Sequence, residues 1–132
     1  KGGGILNVGS IAGYLPGPFM GVYYATKAYV LSFSHALSVE LEHTGVWVTC
    51  VCPGATDTEF QSVAGVADAP LFKLRQPMTA AEVAKIGYED FKRKNTVSIT
   101  GPRNKLMTTL TRLVPLKSAA KLSARFNRKD HK

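Results

Sequence analysis

Cysteine is nearly absent from this chain, and so is any long apolar run. The two cysteines among 132 residues, Cys50 and Cys52, sit two apart within the apolar run 46–52. On a strand both side chains point to one face, too close along the backbone to bridge comfortably. A metal site would need further Cys or His ligands, and none of the three histidines stands at a convincing spacing. The pair is expected to be reduced core thiols of a cytoplasmic protein, with no metal bound. No apolar stretch approaches the roughly 18 residues of a membrane span. The first residues, Lys1-Gly2-Gly3-Gly4, carry neither an initiator Met nor a signal-peptide pattern.

Acidic residues almost vanish after position 102. Residues 103–132 hold nine Lys or Arg against one Asp, a net +8 equal to the charge of the whole chain, whereas residues 1–102 hold eight of each sign. The basicity belongs to the end of the chain and says nothing about a site elsewhere. Aromatics do not interleave with it and no nucleic-acid motif accompanies it, so nucleic acid is not an expected partner. A basic module on an anionic membrane surface is the weaker alternative.

What is present is an ordinary globular composition, 45% hydrophobic and 20% charged, long enough for one domain with a real core. Residues 5–8 form an apolar run expected to be a parallel strand covered on both faces. Two prolines and a glycine at 16–18 force a loop. A helix is expected over 22–43, with Ala25, Ala28, Leu31, Ala36, Leu37 and Leu41 at near-helical apolar positions and Gly45 as its C-terminal cap. Its small residues, Ala25, Thr26, Ala28, Ser32, Ser34 and Ala36, would let a second helix approach closely. His35 and His43 lack partners and read as structural or solvated.

Val46–Cys52 predicts a second strand, dense in β-branched side chains and stopped by Pro53-Gly54. A loop segment is expected over 55–77, with Phe60, Val63, Val66, Leu71, Phe72 and Leu74 scattered through it. Thr79-Ala80-Ala81-Glu82 carries a capping-box pattern and opens a helix running to about Lys94. Residues 97–100 predict a third strand, closed by Gly101-Pro102. Beyond it Leu106, Leu110 and Leu113 are expected to face the core, and Pro115 to break the helix. A last helical stretch would set a basic stripe (Lys117, Lys121, Arg125, Arg128) against an apolar side (Ala120, Leu122, Phe126). The alternation argues a parallel α/β sheet with right-handed crossovers.

One stretch organises the rest. Ser10 ends the segment Asn7-Val8-Gly9-Ser10, Ile11-Ala12-Gly13 follows, and thirteen residues after Ser10 comes Tyr23-Tyr24-Ala25-Thr26-Lys27. Tyr23 and Lys27, four apart, stack on one helix face, whereas the fourth neighbour of Tyr24 is Ala28. A hydroxyl, a phenol and an ammonium can meet at one carbonyl, in the crevice where open α/β sheets place ligands. Tyr-x-x-x-Lys alone also fits an amphipathic helix with one snorkelling lysine. Gly-Ser-x-Ala-Gly at this distance, with Pro53-Gly54 and Thr58 after the next strand, goes further. Over residues 4–101 the sequence resembles the second half of the short-chain dehydrogenase/reductase family. Pro16, Pro18 and Ala25-Thr26-Lys27-Ala28 are similar to its broad-substrate and long-chain ketone reductases.

The resemblance implies a Rossmann-like, doubly wound parallel sheet of which the second half is present: residues 1–102 as that half-domain, 103–132 as a basic helical extension. It implies an NAD(P)-dependent oxidoreductase acting on a small-molecule carbonyl or alcohol, with NADP preferred to NAD and a homo-oligomeric parent protein. Tyr23 would be the acid/base, Lys27 would support it and bind the nicotinamide ribose, and Ser10 would orient the substrate oxygen. The alternative for Ser10 is a turn cap. Pro53, Gly54 and Thr56 would present backbone to the nicotinamide and Thr58 its hydroxyl to the carboxamide; a plain turn is the alternative for Pro53-Gly54. The apolar residues of 60–74 suit a lipophilic substrate or, equally, a core. The family's glycine-rich dinucleotide fingerprint and catalytic asparagine have no counterpart here, since Gly2 to Gly4 precede a strand. The expectation is a piece of a longer enzyme, inactive by itself, with a non-catalytic remnant as the alternative.

Overall fold

The computed structural model describes residues 2–59, 63 and 77–128. Along the chain run β1 (Gly3–Val8), a 3-10 turn (Ile11–Tyr14), α1 (Gly21–Glu40) and β2 (Val46–Cys52). The two-residue strands β3 (Thr56–Asp57) and β4 (Met78–Thr79) follow, then α2 (Ala80–Lys92), β5 (Val97–Ile99), α3 (Pro102–Thr111) and α4 (Leu116–Asn127). β1, β2 and β5 form one parallel sheet in the order β1-β2-β5, with Gly3 opposite Val46, Val8 opposite Val51 and Cys50 opposite Val97. The α/β class with a parallel sheet is as expected. β3 and β4 pair in parallel as a separate ladder at the two ends of the stretch expected to be loop.

A continuous apolar strand needs cover on both faces, and β2 has it. Cys50 and Cys52, both fully buried with their sulfurs 3.8 Å apart, cluster with Leu31 of α1. On the opposite face Trp47 donates from Nε1 to the Phe91 carbonyl of α2 at 2.9 Å, with the two rings 5.3 Å apart. α2 begins in the capping box that its sequence predicts: Glu82 N donates to Thr79 Oγ1 at 3.2 Å, and Thr79 N to Glu82 Oε2 at 2.8 Å.

Several expectations are corrected. β1 is an edge strand, not a covered one, with Ile5, Leu6 and Val8 all exposed. α1 buries Tyr24, Leu31 and Ser34, while Ala25, Ala28 and Ala36 lie on its outer face. Ser34 can turn inward because its hydroxyl donates to Val30 O and accepts from Asn7 Nδ2 of β1. Gly45 does not cap α1. The helix stops at Glu40, where Leu41 N and Glu42 N satisfy the Leu37 and Val39 carbonyls, and a turn with left-handed His43 and Gly45 leads into β2. His35 and His43 are both exposed. Phe60, Val66, Leu71, Phe72 and Leu74 lie outside the described residues, and Val63 is exposed.

The leucines expected to face the core point outward, Leu106 62% and Leu110 52% exposed on α3 and Leu113 80% exposed just beyond its end, while Thr108 is buried. Thr108 Oγ1 donates to Asn104 O at 3.0 Å within the same helix, so it enters the interior with its hydrogen bond already made. α4 docks through Ala119, Ser123 and Asn127, not through Ala120, Leu122 and Phe126; its basic stripe is exposed as expected. Among the described residues no helix is long and apolar enough to cross a membrane.

Candidate active site

The C-terminal ends of β1 and β2 lie side by side, joined beyond the ladder by Gly9 N to Val51 O at 2.7 Å and Ile11 N to Pro53 O at 3.0 Å. This seam sets Ser10 next to Pro53. Ser10 is buried and its Oγ accepts from Ala12 N at 3.1 Å, capping the 3-10 turn. The cap uses the oxygen and leaves the hydroxyl hydrogen, which faces the Pro53 carbonyl across 3.5 Å. Capping and a polar role in the cleft are therefore compatible in one side chain.

Tyr23 and Lys27 occupy successive turns of α1, as their spacing requires. Lys27 Nζ donates to the Val8 carbonyl at 3.0 Å and lies 5.9 Å from the centre of the Tyr23 ring. The ammonium thus joins the start of α1 to the end of β1. Thr56 Oγ1 returns to Gly54 O at 3.1 Å and stiffens the turn after β2.

All seven residues singled out from the sequence, Ser10, Tyr23, Lys27, Pro53, Gly54, Thr56 and Thr58, line a single cleft of about 1290 Å³. Sequence reasoning missed much of the remaining lining. All three methionines of the chain, Met20, Met78 and Met107, also line it, together with Asn104, Leu122 and Phe126. The methionines are far apart in the chain, and no helix or strand period links them. The signal available was Leu122 and Phe126 at helical spacing, read only as the apolar side of a basic helix.

Neighbouring phenols are unsuited to proton transfer here. Tyr24 is buried, and its hydroxyl donates to Asn127 Oδ1 at 3.1 Å. Burial pushes its pKa above the ordinary tyrosine value. Tyr14 is pushed up to about 12, chiefly by burial. Of the three tyrosines near the β1–α1 junction, Tyr23 and Tyr24 line the cleft, and only Tyr23 does so without being buried. Cys52 is held protonated by its hydrogen bond with Cys50 and by burial.

Residues 1–67 match the family model described as short chain dehydrogenase. Sulfoacetaldehyde reductase 2 of Chromohalobacter salexigens is 40% identical over 89 residues, which are 64% of this chain and 35% of that protein. A short-chain dehydrogenase from Sphingobium yanoikuyae, solved in complex with NADPH, superposes with a TM-score of 0.66 at 30% identity, over 90% of this chain and 48% of its own. The structure of a 7β-hydroxysteroid dehydrogenase gives a TM-score of 0.71 at 26% identity, over 91% of this chain and 47% of its own. The chain thus spans about a third of the length of that curated reductase and about half of those solved chains. With the matched sequence pattern lying along β1, α1 and β2, the very elements that form the cleft, this chain belongs to the short-chain dehydrogenase family.

Proposed function

We propose that this chain is the substrate-and-nicotinamide half of an NAD(P)-dependent oxidoreductase that interconverts a carbonyl and an alcohol. The observation that carries the reading is the convergence of Ser10, Tyr23 and Lys27 on one cleft with the turn after β2. The donor set suits the nicotinamide end of a dinucleotide. An ammonium can bind a ribose hydroxyl, Pro53, Gly54 and Thr56 offer backbone groups to a flat ring, and the Thr58 hydroxyl can pair with a carboxamide. A bound nicotinamide supplies the two-electron equivalent of the reaction.

The chain's own residues handle the oxygen. In reduction the Tyr23 phenol gives its proton to the carbonyl oxygen, and in oxidation the phenolate takes it back. Lys27, anchored to Val8, holds a positive charge beside the ring and stabilises the phenolate left behind. Ser10 Oγ–H orients the same oxygen. A lipophilic substrate is supported by the wall of Met20, Met78, Met107, Leu122 and Phe126, whose flexible thioethers adapt to varied shapes. The relatives named above as a reductase of sulfoacetaldehyde and a hydroxysteroid dehydrogenase fit a carbonyl–alcohol couple and leave the substrate open.

A second reading, a half-site with no catalysis of its own, is favoured by the exposure of β1 at Ile5, Leu6 and Val8. One experiment separates the two. The full-length protein and the 132-residue chain are each titrated with NADPH and NADH by nicotinamide fluorescence, then assayed on a series of aliphatic and cyclic ketones. Cofactor binding and turnover by the full-length protein alone are expected; binding without turnover on any ketone would favour the half-site reading.

A further inference from the structure

The C-terminal helix makes two contacts that its basic composition does not announce. Asn127, nearly fully buried, accepts from the Tyr24 hydroxyl at 3.1 Å and donates from Nδ2 to the Pro18 carbonyl, also at 3.1 Å. The Pro18 carbonyl can only accept, so Nδ2 must face it and Oδ1 is left for Tyr24. One helical turn earlier, Ser123 Oγ donates to the Pro16 carbonyl. Between these anchors Gly17 lies flat against the Tyr24 ring, where any side chain would collide with it. The Gly17 carbonyl accepts from Met20 N at 3.1 Å, and the Met20 carbonyl from Tyr24 N at 3.1 Å. This series of bonds ends in the first turn of α1, whose N-cap, Met20, has no side-chain capping bond. That turn carries Tyr23, and the rings of Tyr23 and Tyr24 meet edge to face with centres 6.0 Å apart.

We propose that Asn127 is a positioning residue: by bridging Tyr24 and the Pro18 carbonyl it fixes the uncapped first turn of α1, and with it the direction in which Tyr23 faces the cleft. The helix that looks like a tail is on this account the outer support of the acid/base. The proposal rests on the function proposed above. It explains why α4 buries an asparagine and a serine while leaving Leu122 and Phe126 for the cleft. Buried amides are costly unless fully paired, and this one is paired at both ends to the same short segment.

The test uses the full-length protein with Asn127→Leu, which keeps the branched outline and removes both bonds, and Tyr24→Phe, which keeps the ring over Gly17 and removes one. Amide hydrogen exchange of residues 20–27 is expected to quicken roughly fivefold in Tyr24→Phe and more in Asn127→Leu. The kcat for ketone reduction should fall between about tenfold and about a hundredfold with the NADPH KM unchanged, as misplacement of one catalytic group requires. Exchange confined to α4, or faster exchange at 20–27 with kcat intact, would overturn the proposal. Tyr23→Phe serves as control. Full turnover in that variant would sink the proposed function, while the exchange data would still decide whether Asn127 orders this turn.

Discussion

Lys27 reaches across from α1 to the last carbonyl of β1, Val8, with Nζ and O 3.0 Å apart. A lysine that only snorkelled would leave its ammonium in water. This one spends a donor on the protein, and the bond fixes where its charge sits relative to Tyr23, 5.9 Å from the ring centre. Lys27→Met keeps the stem and removes both donor and charge. Its stability cost should be only about 1 kcal/mol, because the bond is partly solvated. Carbonyl reduction in the full-length protein should fall at least about a hundredfold, with weaker cofactor binding. Urea unfolding alongside steady-state kinetics checks both. A large stability loss with activity intact would make Lys27 a structural tether alone.

The capping box of α2 carries a pH dependence. Glu82 is held below the ordinary carboxylate range, chiefly by the Thr79 backbone N–H and then by the Thr79 hydroxyl. A depressed carboxylate contributes stability above its unfolded pKa and loses it as pH falls through the folded value. Glu82→Gln should therefore melt below the wild type near neutrality and approach it on acidification below about pH 4. A difference in melting temperature that stays constant from pH 7 to pH 3 would contradict this.

Much of the sheet was legible because local and global signals agreed. Val46–Cys52 was found with its bounds because a central parallel strand is apolar throughout, and α2 because its cap is written in two residues. That Ser10, Tyr23 and Lys27 meet in one cleft was legible because a strand end and a helix face bring fixed spacings together. The C-terminal helices were not. Apart from Ala119, their inward faces are Thr108, Ser123 and Asn127, polar residues that are buried only because each finds a partner, and no hydrophobic period reports a hydrogen bond. The leucines of α3 pointed the wrong way for the same reason.

Gly87 lets α2 press directly onto the sheet. A Cβ there would come within 2.8 Å of Val51 Cγ2, and a buried, β-branched valine has little room to turn away. Gly87→Ala gains about 1 kcal/mol of helix propensity and meets an overpacking cost of about 1–3 kcal/mol. The net expectation is a loss of up to about 2 kcal/mol, read by urea denaturation. A variant more stable than wild type would mean that α2 can ride outward from β2 at no cost.

The central claim is that Tyr23 moves the proton. Tyr23→Phe preserves the ring and its edge contact with Tyr24 while deleting the transferable hydrogen. In the full-length protein, with a ketone it reduces and saturating cofactor, kcat should fall by about two to four orders of magnitude. Cofactor affinity, followed by nicotinamide fluorescence in the same preparation, should stay within about twofold of the wild type, since the ring and Lys27 remain. A Tyr23→Phe protein that turns over at near wild-type rate would remove this phenol from the chemistry and contradict the account.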